Sequence, residues 1–352
     1  MTQPWSVRIY KEGDEEEILK LRKLCFGSAN LDEWIWEFKN SPLDSLMMVA
    51  ESEGQIVGFL SYLFVKMKVK NEILKGSIVC DAMVHPDFRR KGLWRTLNKI
   101  LWEEAEKKGN GISYSFRKRA SALLKEQSAI CRVPVLVKFF DTYEEMKKRV
   151  GNQFLAKILS IFANSIFRFF YRTKKCPPVK NLVLSEITEP DDRINSFWVE
   201  ASTAFKIAIV RDKEYLKWRY FQRPNSNFKV LLAEEGSEIL GYIVFSVQRT
   251  PDDKIGYIID IITHPDRPEI IQFLISKAVD RIRKEKVSLI LCKMMKNNAY
   301  YKVFRENGFF KILGSYLIVR ADPSKVPEMF VKDPNNWYLT FGDSDGILPN
   351  LS

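Results

Sequence analysis

Polar and apolar positions change period repeatedly along this chain, and the changes mark out alternating helices and strands. An acid-led, polar segment over roughly 14–25 predicts a helix, and a second helix carries the element Trp36-x-Phe38. Leu46–Glu51 and Ile56–Val65 read as a strand pair; Lys66-Met67-Lys68-Val69-Lys70 then alternates as a strand with one wet face before a turn near Asn71. The strand Ile78–Val84 places Ile78, Cys80, Ala82 and Val84 on one face, and Val79, Asp81 and Met83 on the other. Leu93, Leu97, Ile100, Leu101 and Ala105 recur at helical spacing, which predicts a helix over about 93–108 docked by one face on a sheet and ended by Gly109–Gly111. A strand over 112–116 and a helix over roughly 119–130 complete this first unit.

The same order then returns. Asp81-Ala-Met-Val-His85-Pro86-Asp87 recurs as Asp260-Ile-Ile-Thr-His264-Pro265-Asp266, 179 residues on. Gly58-Phe59 recurs as Gly241-Tyr242, and Trp36-x-Phe38-x-x-x-Pro42 as Trp218-x-Tyr220-x-x-x-Pro224, at offsets of 183 and 182. Three matches in one order at a nearly constant offset imply two related units. The expected organisation is a first domain over 1–132, an apolar helical insertion over 133–182, a second domain over 183–322 and a tail over 323–352. The core of the insertion, Phe154–Tyr171, is apolar but interrupted by Lys157, Asn164 and Arg168, and Cys176-Pro177-Pro178 ends it. Two readings stay open. Either this helix packs between the units or in a homo-dimer surface, or it makes a peripheral membrane contact through 150–172.

Composition narrows the chemistry. With 46% apolar and 13% aromatic residues, the 352-residue chain buries a sizeable core in two domains. Its net charge of +12 suits an acidic partner such as a polyphosphate cofactor, a nucleic acid or an anionic surface. Only two histidines are present, and the five cysteines (Cys25, Cys80, Cys131, Cys176 and Cys292) include no Cys-x-x-Cys pair, so no metal site is expected. Such scattered thiols, with no apolar leader in Met1–Glu17 and no run of about 18–20 apolar residues, point to a cytoplasmic protein.

The segment that carries chemistry joins the strand ending at Met83-Val84 to the helix starting near Leu93. It reads His85-Pro86-Asp87-Phe88-Arg89-Arg90-Lys91-Gly92-Leu93-Trp94-Arg95. A helix start exposes unpaired backbone N–H groups and a partial positive charge, and a turn feeding it aims more donors at the same point. Arg89, Arg90, Lys91 and Arg95 add charge, and Gly92 permits close approach. This is an anion cradle, and the spacing is not that of a Walker loop.

That segment resembles the GNAT acetyltransferase superfamily, whose signature Arg/Gln-x-x-Gly-x-Gly/Ala follows a His-Pro-Asp-type turn and opens a helix. Arg89-x-x-Gly92 fits, and Trp94 departs from the small final residue. The resemblance implies an α/β fold of two tandem GNAT-like domains, each a mostly antiparallel twisted sheet with a splayed central strand pair flanked by helices. It implies acetyl-CoA, or another acyl-CoA, as cofactor. The pyrophosphate would lie on Arg89, Arg90, Lys91, Gly92, Leu93, Trp94 and Arg95, and pantetheine on the backbone of Met83 and Val84. Asp81 is the candidate catalytic base, with a structural hydrogen bond as the alternative, because Asp260 repeats it. Because His85 repeats as His264, a turn-stabilising role is favoured for it, and Tyr114 reads as a structural aromatic. In the second unit Arg267-Pro268-Glu269 lacks the glycine, and Phe304 stands where the family often has a proton-donating tyrosine; this copy is read as degenerate.

The implied activity is N-acyl transfer to a small-molecule or sugar amine, by direct attack on the thioester, with an amino sugar or polysaccharide precursor as the favoured acceptor. An aminoacyl-tRNA-dependent peptidyl transferase also uses tandem GNAT units, and the charge suits RNA; an intact cofactor loop argues against a nucleic-acid partner. A third reading is a non-catalytic acyl-CoA-binding regulatory module in which Trp94 is the lesion.

Overall fold

The protein is described from a computed structural model, which covers residues 4–117, 129–170, 174 and 181–345. In chain order the first half contains β1 (Ser6–Ile9), α1 (Glu15–Phe26), α2 (Leu31–Phe38), β2 (Ser45–Ser52), β3 (Gln55–Val69), β4 (Glu72–Val84), α3 (Leu93–Lys107), β5 (Ile112–Arg117) and β6 (Ala129–Phe139). A helical hairpin, α4 (Tyr143–Val150) and α5 (Gln153–Phe170), leads to the second half. There follow β7 (Leu182–Ile187), α6 (Arg193–Ala201), β8 (Ile207–Ile209), α7 (Lys213–Leu216), β9 (Lys229–Glu235), β10 (Glu238–Arg249), β11 (Lys254–Thr263), α8 (Glu269–Lys284), β12 (Leu289–Lys293), α9 (Ala299–Glu306), β13 (Phe310–Ala321) and α10 (Glu328–Lys332). The helix expected over roughly 119–130 falls largely outside the described residues; Ala129 and Ile130 already belong to β6.

The repeat read in the sequence is a repeat in space. Among the described residues the strands form one sheet in the order β1-β2-β3-β4-β5-β13-β6-β12-β11-β10-β9-β7, with β8 added along β3. Read from its two ends inward, each half runs through the same five strands and then takes its sixth from the other half. Thus β13 pairs with β5 from Tyr316↔Arg117 to Ala321↔Ile112, and β6 pairs with β12 from Leu289↔Phe139 to Lys293↔Val135. The exchanged strands also pair with each other. The larger apolar core therefore runs unbroken from one half to the other. Trp36 and Trp218 mark the approximate two-fold relation: their rings stack at 5.0 Å, Trp36 Nε1 donates to Trp218 O at 2.9 Å, and Trp218 Nε1 donates to Trp36 O at 3.0 Å.

Two local expectations change. The face of Lys66, Lys68 and Lys70 is not wet throughout, because β8 pairs with β3 from Met67↔Ile209 to Val69↔Ile207. Lys68 is buried there and donates to Ser202 O at 2.8 Å and Phe205 O at 2.9 Å, which satisfies an ammonium whose pKa burial lowers. In β4 the simple alternation breaks at Asp81, whose φ of 46° marks an irregularity between the pairs Ser61↔Cys80 and Phe59↔Met83. Past it the phase shifts by one residue, so Met83 joins Ile78 and Cys80 in the larger core, while Val79 and Val84 pack under α3.

Near the end of the described chain, residues 337–344 run buried between the halves rather than outside them. Arg211 holds them: its guanidinium lies 2.9 Å from Asp260 and 2.8 Å from Asp343, and it donates to Ile209 O at 2.8 Å. Arg219 donates to Gly342 O at 3.0 Å, and Tyr114 Oη to Asp343 O at 2.7 Å, so Tyr114 is a structural residue.

Candidate active site

The turn after β4 is held by contacts among its own residues. His85 Nδ1 accepts from Asp87 N at 3.4 Å, as His264 Nδ1 accepts from Asp266 N at 3.3 Å, which gives both histidines the same turn-holding task. Arg89 folds back, its Nε donating to Val84 O at 3.0 Å. Arg90 and Gly92 then take left-handed backbone conformations, with φ of 62° and 86°. Gly92 is the N-cap of α3 and supplies no capping side chain, whereas the caps of α2, α7 and α9 (Asn30, Asp212 and Asn298) each accept from a first-turn amide. The start of α3, with no side-chain cap, borders a cavity of about 590 Å³ lined by Ala82, Val84, Arg89, Arg90, Gly92 and Trp94, among others.

The cavity continues the open part of the sheet. β4 and β5 pair in parallel only from Gly76↔Ile112 to Ile78↔Tyr114, and past Ile78 the β4 edge has no partner strand among the described residues. His85 N donates to Val57 O at 2.8 Å. Strand alternation therefore directs the Met83 amide toward β3 and the Val84 amide toward the open edge. Trp94 does not turn back into the core. Its indole lies between this cavity and a second of about 380 Å³, with the Arg117 guanidinium 4.6 Å from the ring centroid and, among the described residues, no acceptor for Nε1.

On the opposite face of β4 the irregularity turns Asp81 into a cavity of about 920 Å³ that lies between the halves and adjoins the cradle at Phe26. Asp81 Oδ2 is 3.1 Å from Arg22 Nε, yet among the described residues no donor is aligned to hydrogen-bond it. Glu37, on α2, is 3.9 Å from Arg22 and almost wholly buried. Burial pushes the Asp81 carboxyl up to about 6, with Arg22 opposing. Glu37 is pushed up to about 8 by burial and then by the charge of Asp81. The same cavity is lined by Glu33, Asp345 and Lys293; burial pulls the Lys293 ammonium down to about 7 against the charges of Asp345 and Asp343. Glu37, Lys293 and Asp345 were not singled out from the sequence. Glu37 carries a faint signal, a carboxylate four residues after Glu33 that interrupts the apolar run Trp34-Ile35-Trp36…Phe38.

The second half shows the same positions closed. Asp260, the counterpart of Asp81, is saturated by Arg211, Tyr220 Oη at 3.0 Å, Tyr242 Oη at 3.0 Å and Thr340 Oγ1 at 3.1 Å. The amide of Thr263, counterpart of Val84, donates to Tyr300 Oη at 3.0 Å. At the start of α8, Glu269 sits where an anion would and is paired with Arg267 at 2.6 Å. Phe304 is buried against Phe309.

The two halves are therefore two copies of one acyltransferase domain, and in the first the cradle stays open. Residues 6–121 match the acetyltransferase (GNAT) domain and residues 194–309 the acetyltransferase (GNAT) family, so the chain belongs to the GNAT N-acyltransferases, with two such domains in tandem. Among solved structures, a GCN5-related N-acetyltransferase from Anabaena variabilis superposes with a TM-score of 0.63 at 14% identity, over 90% of this chain and 72% of that one. N-myristoyltransferase of Saccharomyces cerevisiae with bound myristoyl-CoA gives 0.61 at 13%, over 96% and 90%. A probable N-acyltransferase from Enterococcus faecalis gives 0.63 at 10%, over 90% and 72%. At these identities the likeness concerns the fold. No curated protein matches the sequence significantly.

Proposed function

We propose that the protein transfers an acyl group from an acyl-CoA, acetyl-CoA being the simplest donor, to an amine held in the cavity between the halves. The observation that carries this reading is the pair of openings on either side of β4: the uncapped start of α3 on one side, and Asp81 with a raised pKa on the other. The pyrophosphate would rest on the amides of Leu93, Trp94 and Arg95 with Arg89, Arg90 and Lys91 around it, and pantetheine along the Val84 edge. The amine nitrogen attacks the thioester carbonyl, the C–S bond breaks, coenzyme A leaves as thiolate and Asp81 takes the amine proton. Glu33 and Asp345 make the cavity acidic on one side, which suits an amine that arrives as a cation and loses its proton before attack; an amino sugar or a polysaccharide precursor is the acceptor class we favour.

Calorimetric titration with acetyl-CoA and desulfo-CoA tests the cradle. Gly92→Glu is expected to abolish binding. A side chain at that position would have open space but an unfavourable backbone conformation costing about 1–2 kcal/mol, so Gly92→Ala serves as the control for strain. Equal affinity in wild type and Gly92→Glu would remove the assignment. The position of Trp94 favours a second reading, binding without turnover. Release of free thiol in a screen of aminosugars, polyamines and peptides separates the two.

A further inference from the structure

The hairpin of α4 and α5 leaves an apolar face that no other described residue covers. Ala156 and Ser160 of α5 are buried, Asn164 Oδ1 accepts from Thr142 N and Oγ1 at 2.9 Å, and the Phe167 ring lies 5.3 Å from Phe139 and 5.4 Å from Phe310. These positions form one narrow stripe, so the helix is attached along an edge and is not packed between the halves. The other side presents Phe154, Leu155, Ile158, Leu159, Ile161, Phe162 and Ile166 to solvent, with Phe154 76% and Phe162 67% exposed. A helix at a water-facing surface carries polar residues there, and an apolar patch of this kind marks an interaction surface.

Charge identifies the partner. From Lys147 to Lys180 the sequence holds nine Lys and Arg and no Asp or Glu. With Asp141, Glu144 and Glu145 included, residues 141–180 carry +6, half of the net +12 of the whole chain. Glu144 and Glu145 pair with Lys147 at 3.6 Å and Arg149 at 2.7 Å, and Lys174 pairs with Glu306 at 2.9 Å, so the surplus outlasts the local ion pairs. A second copy of the chain seated on this face would bring two cationic segments together. No described helix is long and apolar enough to cross a membrane. We propose that α5 lies flat in the interface of an anionic lipid bilayer, its phenylalanines and isoleucines among the acyl chains and the surrounding lysines and arginines at the headgroups.

Co-sedimentation of the full-length protein with vesicles tests this. Vesicles of phosphatidylcholine containing about one third phosphatidylglycerol should bind it at least about tenfold more tightly than phosphatidylcholine alone, with the advantage shrinking as salt rises. Phe154→Glu/Phe162→Glu changes two exposed side chains, so it should keep acyl-CoA binding and lose about tenfold or more in vesicle affinity. A wild type that stays in the supernatant with both vesicles, or binding that survives the double variant, overturns the proposal. So does a solution dimer that the double variant dissolves, since a second copy would then cover the face. None of these outcomes bears on the cradle, which calorimetry reads separately.

Discussion

Asp81→Asn is expected to lower kcat about 10²- to 10⁴-fold, the range of a lost general base, while the affinity for acyl-CoA stays nearly unchanged. The substitution suits the site. Asp81 has a left-handed φ of 46°, a region asparagine tolerates, and the two side chains are nearly the same size. The pH profile distinguishes a base from a structural residue. A base works without its proton, so the wild-type rate should fall as pH drops through about 6, and the neighbouring Glu37, pushed up to about 8, extends that limb toward neutrality. The variant should lose the limb set by Asp81. Stability runs the other way. Both carboxyls have pKa values above those of the unfolded chain, so the folded state binds protons more tightly than the unfolded one, and stability falls as pH rises through that range. Asp81→Asn should therefore gain on wild type in thermal stability above pH 6. Steady-state rates across pH, with melting curves in the same buffers, check both halves. A variant with wild-type kcat and an unaltered profile would dismiss Asp81 as the base.

Arg211→Ala should give the largest loss of stability, about 3–5 kcal/mol, because it strands two buried carboxylates, Asp260 and Asp343, without their cation. Their other partners, Tyr220, Tyr242 and Thr340, are neutral and cannot replace a guanidinium. The release should be felt first in 337–344, which Arg211 and Arg219 pin between the halves, so limited proteolysis should cut there sooner than in wild type. Denaturant midpoints measure the loss. Adding Asp343→Asn to Arg211→Ala should recover part of it, because one stranded charge disappears. A loss below about 1 kcal/mol would mean that water reaches the network.

Much of this was legible in the residues. The Trp36/Trp218 and His85/His264 matches disclosed the two units, and in the structure these pairs do the same work in each half. The run from Arg89 to Arg95 disclosed the cradle, because strand, glycine and helix stand adjacent in sequence and need no distant partner. What was not legible depends on contacts across the chain. The irregularity at Asp81 moved Met83 to the face opposite the one alternation gives it, and no local composition announces such a slip. The lysines of β3 looked solvated because the element covering them, β8, lies more than a hundred residues away. Glu37 was hidden among the aromatic residues that end α2, and only burial beside Asp81 makes it chemically unusual. The insertion from 133 was expected to be helical, with packing between the units, a dimer surface or a membrane contact left open; its first residues are instead a strand of the shared sheet, and its helix stands on the surface.

The exchange of β6 and β13 reaches back to synthesis. When residue 139 leaves the ribosome, β5 has no neighbour on its open side and β6 has no strand to join, because the chain that fills both gaps lies more than 140 residues downstream. The amino-terminal half cannot be completed as a nascent domain, and its sheet is closed only after β13 has been made. A stop codon anywhere before Phe310 should thus yield an open-edged, aggregation-prone fragment rather than a smaller enzyme.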